Sequence, residues 1–190
     1  DTGIRNMYHG KGSSPESALD CTNLINYLQQ REQKDRLLCW AYENSSDGSF
    51  NKCFITLKLG FFNWLACNSK VVILDTKHGT NTYGMHLALF TTIKSDGASC
   101  ILCAGLIQNQ DEETFKWLYK NFEKAFSRPR VIFTDGDQAM AAAITTQWQG
   151  TLHLLCTFHL WKNFYTHFSG SSKNDGWNQV STLWWNLCKY

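Results

Sequence analysis

The decapeptide Val131–Met140, VIFTDGDQAM, constrains this chain more than any other stretch. Three apolar residues run into Thr134 and Asp135, Gly136 breaks the run, and Asp137 precedes Met140, Ile144 and Trp148 at intervals of four. The pattern predicts a buried strand, a tight turn and a helix capped by Asp137. Asp135 would then stand at the carboxyl end of its strand, where open α/β sheets place their ligands. A second junction of this kind lies upstream, where Val71-Val72-Ile73-Leu74 delivers Asp75 ahead of Thr76, Lys77, His78 and Gly79. Two strand-end aspartates raise the question of a metal site. Pattern alone leans towards turn formers or caps, the usual role of Asp in that position.

The remaining segments arrange themselves around these two junctions. Asp1–Pro15 is polar and rich in Gly and Ser and reads as a mobile lead-in. Leu24, Ile25 and Leu28 give a short amphipathic helix over Glu16–Arg31, and Leu37–Tyr42 and Phe50–Leu57 flank the polar turn Asn44–Gly48 as a hairpin. One helical turn is expected over Phe61–Ala66. Strands Val71–Asp75, Met85–Ile93 and Ser99–Ile107 form a meander, the last two joined by Ser95-Asp96-Gly97. Phe115, Leu118, Tyr119, Phe122 and Phe126 line one face of a helix over Asp111–Phe126, with Glu112 and Glu113 in its first turn and Lys124 near its end, as the helix dipole favours. Pro129 closes that helix before strand Val131–Asp135. Helix Gln138–Trp148 and strand Leu152–Cys156 follow.

The order is therefore β-β-β-α-β-α-β, an α/β mixed sheet with helices on its faces. A right-handed crossover through the first of these helices sets the two Asp-bearing strands parallel and adjacent, with Asp75 and Asp135 ending side by side. Beyond them, Leu160, Trp161, Phe164, Tyr165 and Phe168, then Trp177, Val180, Trp184 and Leu187, predict two further helices around a break at Ser169–Gly176. Their Trp-rich faces suit helix packing better than base stacking.

Charge is nearly balanced, 18 Lys and Arg against 16 Asp and Glu, so a nucleic-acid partner must be met by local patches rather than by a global basic field. No apolar run approaches a membrane span and no signal-peptide pattern opens the chain, which begins at Asp1. The expectation is a soluble intracellular piece of a longer protein. The eight cysteines lie scattered in apolar segments and are expected to be reduced, buried thiols. Cys100 and Cys103 have C-x2-C spacing, but on a strand that spacing points them to opposite faces.

Four motifs carry a family resemblance. DTKHGTNTYGMHLALF (Asp75–Phe90), DEETFKWLYKNF (Asp111–Phe122), TDGDQAM (Thr134–Met140) and CTFHL (Cys156–Leu160) resemble, in order and spacing, the Mutator-like element (MULE) transposases. Plant transcription factors of the FAR1/FHY3 type, their domesticated relatives, share the pattern. Departures are His78 where the family often has Tyr, and Gly136 and Gln138 where it often has Gln and Pro. None removes a family carboxylate.

The resemblance implies a ribonuclease H-like fold that ends in the start of a helical insertion. Residues 1–68 would be a lead-in, helix and hairpin, residues 69–157 the transposase core, and residues 158–190 the insertion. It implies Asp75 and Asp135 as catalytic, metal-binding acids holding Mg²⁺ or Mn²⁺, with two ions about 3.5–4 Å apart acting on a phosphodiester. Thr76, Thr134 and Asp137 would support them, Asp137 also being the expected helix cap. Transposon ends and target DNA would be the partners, in the nucleus, with a homo-oligomer left open and no membrane involved.

Cys156 and His159 match a family C-x2-H pair. Zinc is left open there, because two ligands do not complete a tetrahedral site. The family's third acid is a Glu after the insertion, whereas no Glu follows Glu123 here, so this chain alone is expected not to cut or join DNA. A domesticated, non-catalytic DNA-binding regulator and an unrelated ribonuclease H-like nuclease remain as alternatives.

Overall fold

The computed structural model describes residues 15–56, 58–67, 70–168 and 176–188. The chain opens with α1 (Pro15–Lys34), the hairpin β1 (Trp40–Asn44) and β2 (Phe50–Thr56), and α2 (Lys58–Ala66). The meander β3 (Val71–Lys77), β4 (His86–Ile93) and β5 (Ser99–Ile107) follows, then α3 (Glu112–Ala125), β6 (Val131–Thr134), α4 (Gln138–Gln147) and β7 (Leu152–Leu155). Two helices, α5 (Thr157–Phe168) and α6 (Gly176–Leu187), come last.

All seven strands join one sheet in the order β1-β2-β5-β4-β3-β6-β7. The meander is antiparallel, and β6 and β7 add to its β3 side in parallel. An antiparallel meander extended by two parallel strands, each reached through a helix, is the ribonuclease H-like arrangement.

Local chemistry explains the crossover. Asp111 caps α3 by accepting from Thr114 N at 2.8 Å, and Lys116 reaches back to Glu112 at 2.7 Å. Phe115, Leu118, Tyr119 and Phe122 are fully buried along one stripe of the helix, so packing orients it on the sheet. The core on that face is largely aromatic. Trp148 stacks on Tyr119 with centroids 4.4 Å apart and meets Phe122 edge-on at 5.3 Å, while Trp64 on α2 meets Phe122 at 5.7 Å. A smaller cluster of Leu28, Leu38 and Cys53 packs α1 against the hairpin. The last two helices pack through their aromatic residues, with Trp161 5.6 Å from Trp184 and Phe164 stacked parallel to Trp184.

Some boundaries move. The first hairpin strand begins at Trp40 rather than Leu37, because Asp35 holds Leu37 N and Leu38 N in a turn. The expected single turn at Phe61–Ala66 is a nine-residue helix, and β7 ends at Leu155, which leaves Cys156 between strand and helix. All described cysteines are free, but only Cys53, Cys67 and Cys103 are buried, while Cys21, Cys100 and Cys156 are half-buried and Cys39 and Cys188 exposed. Burial, with Cys21 nearby, pushes the Cys53 thiol up to about 12. The lead-in expected over residues 1–14, Leu57, and the break expected over residues 169–175 lie outside the described residues. Among the described residues no helix is long and apolar enough to cross a membrane.

Two substitutions test this packing. Trp148→Ala should cost about 3–5 kcal/mol of stability in urea unfolding, the cost of emptying a large core site. Gly60→Ala should cost about 1–3 kcal/mol, since its new Cβ would fall 1.9 Å from the Leu102 carbonyl oxygen, a backbone atom that cannot rotate away.

Candidate metal centre

The site grows from one parallel ladder. Strands β3 and β6 pair through Val71↔Val131, Val72↔Ile132 and Ile73↔Phe133. Asp75 and Asp135 each stand two residues beyond the last pair, so they reach the same end of the sheet in equal step. Val72, Leu74, Ile132 and Thr134 are buried against the helices, and strand alternation turns Asp75 away from them. Its side chain keeps 56% of its surface exposed, while Asp135 is half-buried.

The turn after β6 assigns the two neighbouring aspartates different work. Asp135 Oδ1 accepts from Asp137 N at 3.1 Å, which closes the turn around Gly136. Asp137 Oδ1 accepts from Met140 N at 2.8 Å and caps α4. Asp137 is thus bound to the helix, and Asp135 is set by the turn. The buried Tyr119 hydroxyl has no hydrogen-bond partner, and its pKa is driven well above the usual phenol range by desolvation and by the Asp137 and Asp135 carboxylates.

Both threonines expected to support the acids are engaged. Thr76 Oγ1 accepts from Gln110 Nε2 at 2.7 Å. Thr134 Oγ1 donates to the Asp135 carbonyl at 2.7 Å and lies 2.8 Å from His153 Nε2. A hydroxyl has one proton, so with that proton given to Asp135 the remaining contact requires His153 to donate from Nε2. At the rim, the His78 and His86 rings lie 4.7 Å apart, and burial followed by the nearby His78 lowers the His86 pKa.

Cys156 lies just past the end of β7 and His159 in the first turn of α5. Cys156 N donates to Thr134 O at 2.7 Å, and Leu160 N returns to Cys156 O at 3.0 Å, so α5 starts where β6 finishes. One turn on, His159 Nε2 lies 3.7 Å from Asp75 Oδ1. The reading of Cys156 and His159 as a C-x2-H pair at the end of the last strand did not foresee this approach, nor the places of Gln110, His153 and Tyr119. The signal available was helical: positions three apart share a face once the segment is a helix.

Two carboxylates at one sheet end, Asp75 open to solvent, suit a hard divalent cation that keeps water in its other positions. Among the described residues no group of three or more His, Cys, Asp or Glu side chains converges as a ready-made cage.

Together the sheet and its acids define a ribonuclease H-like domain with two aspartates just beyond its β3–β6 ladder, Asp75 still within β3 and Asp135 past the end of β6. Residues 71–163 match the family described as MULE transposase domain, and this segment holds Asp75, Asp135, Cys156 and His159. The chain is 27% identical over 141 residues to Protein FAR1-RELATED SEQUENCE 5 of Arabidopsis thaliana, covering 73% of this chain and 18% of that protein. It is 24% identical over 152 residues to Protein FAR-RED IMPAIRED RESPONSE 1 of the same plant, covering 79% of this chain and 18% of that one. The chain therefore spans under a fifth of these relatives' length.

Among solved structures, the HTLV-2 integrase catalytic core domain in complex with magnesium aligns at TM-score 0.33 and 13% identity, over 63% of this chain and 84% of that one. A chain of the simian T-cell lymphotropic virus intasome in complex with PP2A regulatory subunit B56 gamma aligns at 0.37 and 14%, over 63% and 48%. The fold assignment rests on the strand order, not on these slight likenesses.

His153 gives a pH test. Burial holds its folded pKa below the ordinary value of 6.5, so folding favours the neutral ring. A lowered histidine pKa contributes stability that is complete above the unfolded value and is lost as pH falls through the folded one. Unfolding free energy should decline below about pH 6.5, and His153→Gln should flatten part of that decline in urea titrations between pH 7 and 5. An identical slope in both proteins would refute the assignment.

Proposed function

We propose that Asp75 and Asp135 form the divalent-metal centre of a Mutator-like DNA transposase domain acting on phosphodiester bonds. The observation that carries this reading is the β3–β6 register, which brings the two acids to one sheet end in equal step. Two carboxylates repel one another at neutral pH, and Mg²⁺ or Mn²⁺ is the natural counter-charge. Such an ion, when bound, can activate an attacking hydroxyl and stabilise the leaving oxygen of an in-line displacement. The chain's own contribution is to aim Asp75 and Asp135, through the sheet and the Asp135–Asp137 turn. DNA is the substrate, transposon ends and target alike, and the nucleus the site of action.

A second reading is supported by the similarity to FAR1-related proteins. On that reading the domain is a domesticated DNA-linked regulator whose acids need not act.

Calorimetric titration with Mn²⁺ tests the metal centre. The wild-type chain should bind, and Asp75→Asn or Asp135→Asn should each weaken binding at least about tenfold, or roughly 1.4 kcal/mol. Binding indifferent to both substitutions would end the proposal. Nicking of supercoiled DNA by a longer chain that runs through the helical insertion to the next Glu separates the two readings. Mn²⁺-dependent cleavage abolished by either substitution supports the enzyme, and metal binding without cleavage supports the regulator.

A further inference from the structure

We infer that His159 is a positioning residue for the Asp75 carboxylate, held there by a strap from Cys156 to His159 that ties both acid-bearing strands to α5. The inference rests on the metal-centre reading above and deepens it. Its first support is the 3.7 Å approach of His159 Nε2 to Asp75 Oδ1. The second is the other ring nitrogen, Nδ1, which is buried without a hydrogen-bond partner. A ring that leaves Nδ1 unsatisfied while turning Nε2 towards a carboxylate has its polar contact at Asp75.

The third support is the anchoring of the strap. Cys156 N donates to the carbonyl of Thr134, the residue immediately before Asp135, and Leu160 N donates to the carbonyl of Cys156. The start of α5 is thereby fixed to the Asp135 strand, and one helical turn carries His159 across to the Asp75 strand. A carboxylate more than half exposed samples several rotamers unless a neighbour restrains it. A ring on a pinned helix start supplies that restraint.

At 3.7 Å the pair is longer than a hydrogen bond. Contacts of this kind are commonly loose before ligand binds and tighten afterwards. When one Asp75 oxygen turns to a cation, the other is left to accept from His159 Nε2–H. Partners that orient a ligating carboxylate typically account for about 10–100-fold in metal affinity. A ring serving packing alone, for instance through its edge-on contact with Phe158, would account for none.

The test uses the 190-residue protein, titrated with Mn²⁺ as wild type, His159→Ala, His159→Gln and Asp75→Asn. His159→Ala should weaken binding about 10–100-fold. His159→Gln, whose side-chain amide donates from nearly the position of Nε2, should recover most of the loss. Unchanged or tighter binding by His159→Ala, while Asp75→Asn still weakens it, overturns the role of His159 and leaves the metal centre standing. A wild-type chain that takes up no Mn²⁺ overturns both.

A metal-free measurement covers a His159→Ala variant that fails to fold. In ¹⁵N-labelled protein, Asp75→Asn should shift the imidazole resonances of His159 and leave those of His167, a turn and more away on α5, in place. An unmoved His159 signal overturns the inference.

Discussion

The parallel pairing of β3 with β6 is the constraint on which everything else depends. Parallel neighbours cannot be joined by a tight turn, so the chain must leave the meander, cross the sheet face as α3 and return. The fully buried stripe of Phe115, Leu118, Tyr119 and Phe122 makes that crossing favourable, and Trp148 at the end of α4 completes the same aromatic layer. Burial of these rings is the main force that holds β6 beside β3, because hydrophobic burial dominates folding energetics and a four-residue strand contributes few ladder hydrogen bonds. The position of two acids at the sheet end is thus set by aromatic packing on its opposite face.

That division of labour bears on which carboxylates are available to a ligand. Asp137 is committed to capping α4, and one oxygen of Asp135 is committed to the Asp137 amide. Both bonds lie at the N-terminus of α4, where backbone N–H groups without intrahelical partners need acceptors. Asp75, more than half exposed, faces His159 from β3. Each of the two turn bonds takes one carboxylate oxygen, so it is the register of β3 with β6, rather than the turn, that singles out Asp75 and Asp135.

Legibility in the sequence follows the strength of each physical signal. Helix α3 could be read almost to the residue, because its apolar stripe, its cap Asp111 and Pro129 agree. The β5 strand and the Asp137 cap were equally plain. Helix α2 was shortened in the reading because it is apolar on several faces and shows no clear period, and Gly60, normally a helix weakener, is needed where the helix meets the Leu102 carbonyl. The hairpin began three residues late because Asp35 holds its own backbone turn, a local competition that strand propensity does not reveal. Asp135 was legible as a strand-end residue, just past β6, whereas β3 runs on to Lys77 because its last residues pair with β4, and Asp75 lies within the strand opposite Leu89. The contacts of Gln110 with Thr76 and of His153 with Thr134 beside the two acids were not legible, since those depend on neighbours distant in sequence that periodicity does not identify.

The C-x2-H segment shows how one boundary changes a chemical interpretation. On a strand, residues three apart point to opposite faces, and Cys156 and His159 would read as an incomplete ligand pair. With β7 ending at Leu155, the same spacing becomes one helical turn that starts from a backbone bond to the Asp135 strand and ends with an imidazole above the Asp75 strand. Each residue added to or removed from that turn would rotate the ring by about 100° around the helix axis and carry it away from Asp75. Spacing, rather than thiol chemistry, is therefore what the arrangement requires of Cys156: its backbone N–H makes the anchoring bond, and any residue able to keep the helix start could supply that.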